Sequence, residues 1–89
     1  MKTETLEGLK NYAEHGTPPG DFLRAVLGND LTEAFSRADQ QNSDDMAEIV
    51  GYIYNEMPIN CHGSYQIVSS WINRKMAERE KMEARKNEN

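Results

Sequence analysis

The chain of 89 residues has one cysteine, two histidines and no apolar run longer than three residues, Ala25-Val26-Leu27 being one of them. A lone Cys61 excludes an internal disulfide, and together with His15 and His62 it falls short of a structural zinc set. Runs that short exclude a membrane span and a signal peptide, so the expected location is the cytoplasm. The length predicts a single domain. Bases are scarce as well: residues 1–70 hold only Lys2, Lys10, Arg24 and Arg37 against eleven acids, a net −7, whereas residues 71–89 hold six bases and four acids, a net +2. An acidic body repels phosphate backbones over a Debye length of about 10 Å, which argues against nucleic acid as partner. Acids scattered among bases do not form the aligned rows that a duplex mimic needs.

What is present is helical patterning. Leu6, Leu9, Tyr12 and Ala13 share one face between Thr3 and His15, and Gly16 is placed to stop that helix. Thr17-Pro18-Pro19-Gly20 reads as a rigid connector, because adjacent prolines remove donors and push the preceding residue out of helical geometry. A short second helix follows over Asp21–Leu27. Gly28-Asn29-Asp30 reads as a helix stop or a kink; a break is favoured, with Asp30 capping a third helix from Leu31 to Ala38. Asp39–Ser43 is expected as a polar turn. Met46, Ile49, Val50, Ile53 and Met57 then give the clearest stripe of the chain, a core helix over Asp44–Met57 from which Tyr52 and Tyr54 leave in different directions. Pro58 ends it, residues 59–63 form a loop, and Ser64 caps a last helix that buries Ile67, Val68, Trp71, Ile72 and Met76.

The expected architecture is therefore all-α: a compact bundle of about five helices in one domain, residues 1–74, with an extended charged helical tail over residues 75–89 that frays at its end. In that tail Arg74 with Glu78 and Arg79 with Glu83 lie at i,i+4 spacing, worth a few tenths of a kcal/mol each. About 70 folded residues bury only about 60% of their unfolded surface, so a single copy is marginal and a homo-oligomer would help. The methionine-bearing last helix is the segment expected to meet a partner, the plain alternative being a solvated helical tail.

No catalytic group, metal ligand or cofactor is expected. Cys61 and His62 are sequence neighbours whose side chains diverge, and a thiol nucleophile needs a base held beside it. Asp44, Asp45 and Glu48 sit where a helix start favours acids without any chemistry. The pattern that remains is Arg24 and Arg37, the two guanidinium groups of the acidic body, set among Asn29, Tyr54 and Asn55. A guanidinium fork suits bidentate contact with carboxylate or phosphate, and Asn and Tyr add directional hydrogen bonds. His62 and Ser64 join them because the helix start after Gly63 offers free N–H groups to an anion. The expected ligand site is thus Arg24, Asn29, Arg37, Tyr54, Asn55, His62 and Ser64. Its plain alternative pairs Arg24 with Asp21 and Arg37 with Glu33, or ties helices through Asp30 and Asp39, and leaves Ser64 a simple cap.

The run His15-Gly16-Thr17-Pro18-Pro19-Gly20-Asp21-Phe22-Leu23-Arg24-Ala25-Val26-Leu27, followed by Asn29-Asp30-Leu31, Glu33-Ala34, Arg37-Ala38-Asp39, Asn42, Ile49-Val50, Tyr54-Asn55-Glu56, Pro58 and Cys61-His62-Gly63-Ser64, resembles a family of short uncharacterised proteins of tailed bacteriophages and prophages. The resemblance covers about two thirds of the chain and brings no activity with it. It implies a phage accessory protein acting in the host bacterial cytoplasm, not an enzyme. Small phage proteins of this kind commonly act by stoichiometric binding, an analogy that does not depend on fold. Two expectations follow: a counter-defence protein that binds a small anionic, nucleotide-like ligand, or an inhibitor or adaptor of a host protein. A weaker third is a nucleic-acid accessory role for the tail bases Arg74, Lys75, Arg79, Lys81, Arg85 and Lys86.

Overall fold

The computed structural model describes residues 1–87, with side chains through residue 84. Among the described residues it is all-α: six helices, α1 (Thr3–His15), α2 (Asp21–Leu27), α3 (Leu31–Arg37), α4 (Gln40–Asp44), α5 (Met46–Glu56) and α6 (Tyr65–Asn87), with a 3-10 turn, Ile59–Cys61, before the last. The core is drawn from Leu9 and Tyr12 of α1, Leu27 of α2, Ile49 and Ile53 of α5, Cys61 of the 3-10 turn, and Val68, Trp71 and Ile72 of α6. A smaller cluster of Ala25, Ala34 and Met46 joins α2, α3 and the start of α5.

The breaks between helices follow from local chemistry. Gly16 ends α1 at φ +70°, a left-handed conformation that costs glycine nothing, and its N–H donates to the Tyr12 carbonyl. A side chain there would also strike α6, since an added Cβ would lie 2.4 Å from Lys75 Cβ. Between α2 and α3 the left-handed residue is Asn29 at φ +60°, not Gly28. Asn29 N–H donates to the Val26 carbonyl and Asp30 N–H to the Ala25 carbonyl, which is the pair of bonds that closes a helix end around a C′ asparagine. Gly28 is needed for a different reason: the Tyr65 ring lies 2.8 Å from where its Cβ would be. Asp30 then caps α3 by accepting from Glu33 N–H at 3.2 Å.

The structure departs from the sequence expectations at several points. The segment expected as a polar turn is the short helix α4, because Asp39 caps it by accepting from Asn42 N–H at 2.8 Å. The core helix accordingly starts at Met46 rather than Asp44, and α3 stops at Arg37 as Ala38 turns extended. On α6, Ile67 and Met76 are 38% and 42% exposed, where burial was expected. Ile67 sits at the body's edge beside Gly63, and Met76 lies past the last half-buried residue, Lys75.

At 23 residues α6 is about 35 Å long. It outruns the body: residues 76–84 are all exposed, and the molecule measures 50 × 25 × 22 Å. The helix holds through Asn87, and the fraying expected of the tail's end falls in part on residues 88–89, outside the described residues. The expected Arg74–Glu78 pair is replaced, as the Arg74 guanidinium lies over the Trp71 ring at 4.6 Å and Glu78 meets Lys75 at 3.7 Å.

Candidate functional site: an apolar hollow beside the α6 start

Tyr12 fixes the geometry of the region. Fully buried, its hydroxyl donates to the Cys61 carbonyl at 2.6 Å, while its own carbonyl accepts the Trp71 indole N–H at 3.1 Å. One residue of α1 therefore holds both the 3-10 turn and α6. Burial pushes the Tyr12 phenol well above its ordinary range and raises the Cys61 thiol to about 11, so both stay protonated and neither serves as a base or nucleophile near neutral pH. Two further ties set the segment that follows the turn. Gly63 N–H donates to the Leu27 carbonyl at 2.8 Å, and the Tyr65 hydroxyl donates to Asp30 Oδ2 at 2.7 Å.

Between these ties lies a hollow of about 230 Å³. Its walls are the aliphatic side chains of Val26, Leu27, Leu31, Val50 and Ile53, contributed by α2, α3 and α5. Asn29, Tyr54, His62 and Gly63 make up the rest of the lining. Leu31 and Tyr54 are 58% and 66% exposed, so two large apolar surfaces stand at the site facing water. The Tyr54 and His62 rings meet edge to face with centroids 5.2 Å apart. Burial holds the His62 imidazole below its usual pKa, which keeps the lining uncharged at neutral pH.

Of the seven residues expected at a ligand site, the structure brings together Asn29, Tyr54 and His62. Arg37 lies elsewhere: its Nε donates to Glu33 at 2.7 Å and an Nη stands 3.7 Å from Asp21, tying α3 to α2 across an exposed surface. Arg24 is half-buried on α2 outside the hollow, and has no carboxylate within 4.0 Å among the described residues. Asn55 is exposed at the end of α5 and does not line the hollow. Ser64 caps α6 by accepting from Ile67 N–H at 3.1 Å. Asp30 and Asp39, the suggested helix ties, instead hold Tyr65 and Lys2, the latter at 2.5 Å.

Sequence reasoning missed the aliphatic walls. Val26 and Val50 belong to stripes that read as ordinary core, and their positions at the hollow depend on tertiary packing. No family model, no curated protein and no solved structure matches the chain.

Proposed function

We propose that this chain is a non-enzymatic, phage-encoded accessory protein that attaches stoichiometrically to a host protein in the bacterial cytoplasm, as a counter-defence inhibitor or adaptor. The hollow seats one apolar side chain of that partner. The observation that carries this choice is size and lining: about 230 Å³ walled by five aliphatic side chains. Small-molecule sites are typically about 300–1,000 Å³. A single large side chain suits the smaller volume, and a buried anchor in a fitted pocket is the usual centre of a protein interface. The net −7 of residues 1–70 favours a partner with basic residues around that anchor. The phage origin rests on the resemblance of the sequence alone.

The test is co-purification with host lysate, read for a stoichiometric partner in three variants. Leu31→Glu, which adds a charge at the hollow, is expected to abolish recovery, while Arg24→Ala and Arg37→Ala retain it. Loss with the arginine variants and retention with Leu31→Glu would reverse the assignment. A second reading, a small nucleotide-like anion, draws on Arg24, which has no carboxylate within 4.0 Å among the described residues. It requires thermal stabilisation by a nucleotide that Arg24→Ala removes.

A further inference from the structure

The hollow leaves one large feature unused: the end of α6, which projects past the body with every residue from 76 to 84 exposed. A projecting helix that buries nothing gains little from tertiary packing, and most helical stability in proteins comes from such packing. At 100° per residue, Ile67, Trp71, Arg74, Glu78 and Met82 fall at i, i+4, i+7, i+11 and i+15, a single stripe along the whole helix. Trp71 is buried under Arg74, while Ile67 is 38% exposed and Met82 63% exposed. The stripe is thus apolar at both ends and charged in the middle, with a base and an acid one turn apart.

That order complements itself when reversed. If two such helices run antiparallel about a twofold axis near Lys75, Ile67 of each lies beside Met82 of the other, and Arg74 of each lies within a turn of Glu78 of the other. The contact from Ile67 to Met82 spans about 22 Å of helix. The twofold operation also puts both bodies on the same side of the helix pair. Each projecting end, with Arg79 and Met82 on the arc that continues the buried side of α6, then passes beneath the body of the second copy. Residues 76–89 hold four bases and four acids, so the projecting end carries no net charge, and the charge complementarity of the arrangement is that of Arg74 with Glu78.

We propose that two copies of this chain pair through antiparallel α6 helices, with Ile67 against Met82 and Arg74 against Glu78 across the interface. The occupant of the α6 face is a second copy, in an isologous contact. This pairing does not depend on what fills the hollow, and its failure would leave that site untouched.

The experiment is sedimentation velocity on the full chain over a concentration series, with circular dichroism on every variant to confirm helix content. The wild type is expected to dimerise. Arg74→Glu faces Glu78 with a like charge and should weaken the dimer roughly tenfold or more. The double variant Arg74→Glu with Glu78→Arg restores the opposite-charge pairs in both halves and should recover most of the loss. Met82→Asp should dissociate the dimer while leaving the body folded, since Met82 touches none of the core. A wild type that stays monomeric up to roughly 1 mM overturns the proposal. So does a dimer that Met82→Asp leaves intact, or one in which the charge swap fails to recover what Arg74→Glu lost.

Discussion

Replacing Tyr12 with phenylalanine removes one oxygen and nothing else from the centre of the fold. The lost group donates at 2.6 Å to the Cys61 carbonyl, with Tyr12 fully buried and Cys61 likewise, so the variant strands an acceptor in a dry site. Leaving such a group unsatisfied costs about 1–3 kcal/mol. For a domain of this size each kcal/mol lowers the melting temperature by about 4–8 °C. Tyr12→Phe is therefore expected to melt roughly 4–24 °C below the wild type, combining those two ranges. Tyr54→Phe is the control: its ring is 66% exposed, and loss of a hydroxyl that water can reach should change the melting point little. The local consequence is more specific. The 3-10 turn ends at Cys61, two residues before the Gly63 N–H that bonds Leu27, so hydrogen exchange at the Gly63 amide should quicken in Tyr12→Phe more than at amides in the middle of α5. A variant within about 0.5 kcal/mol of wild type, with Gly63 exchange unchanged, would refute the pinning role assigned to Tyr12.

Other substitutions separate backbone from side-chain effects. Gly16→Ala should destabilise by about 1–3 kcal/mol in chemical denaturation, because the residue is left-handed and its Cβ would meet Lys75. Asp30→Ala should cost about 1–2 kcal/mol on the same assay, since one carboxylate both caps α3 and accepts from Tyr65; a loss no larger than that of an exposed Asp44→Ala would contradict the double role. Burial lowers the His62 pKa below its unfolded value of 6.5, so the folded state binds fewer protons there. Stability from this group is complete above pH 6.5 and declines as pH falls below it, and His62→Gln should flatten that slope in melts between pH 7.5 and 5. Asp39 acts lower on the scale: hydrogen bonding from Lys2 depresses its pKa below 3.8, so its contribution, present above that value, is lost as pH drops through the folded pKa, and Lys2→Ala should shrink the acid-side loss.

The helices were legible in the sequence wherever a stripe ended at a strong stop. His15-Gly16 and Leu27 before Gly28-Asn29-Asp30 gave boundaries that the structure reproduces. The stretch Asp39–Ser43 misled because Gln, Asn, Ser and Asp have turn chemistry, yet the same Asp39 that suits a turn also caps a one-turn helix. The site was half legible. Asn29, Tyr54 and His62 stand out as polar or aromatic residues off the core stripes, and they do converge. Arg37 stood out for scarcity of charge, and its surroundings supply two carboxylates: Glu33, one turn away, which spacing offered, and Asp21 of α2, which spacing had assigned to Arg24. The hollow itself is a matter of tertiary packing: nothing in the spacing of Val26 or Val50 says that α2 and α5 leave a space between them.

Titration of the labelled chain followed by two-dimensional NMR gives the most direct measurement of the hollow's chemistry. N-acetyl-leucinamide and N-acetyl-phenylalaninamide mimic an apolar anchor without charge, and each is expected to move the amides of Asn29, Leu31, Tyr54, His62 and Gly63 together, with the effect lost in Leu31→Glu. A panel of nucleotides should leave those amides in place. If instead a nucleotide moves the signals around Arg24 while both amino-acid amides move none around the hollow, the site is an anion site and the apolar-anchor account is wrong.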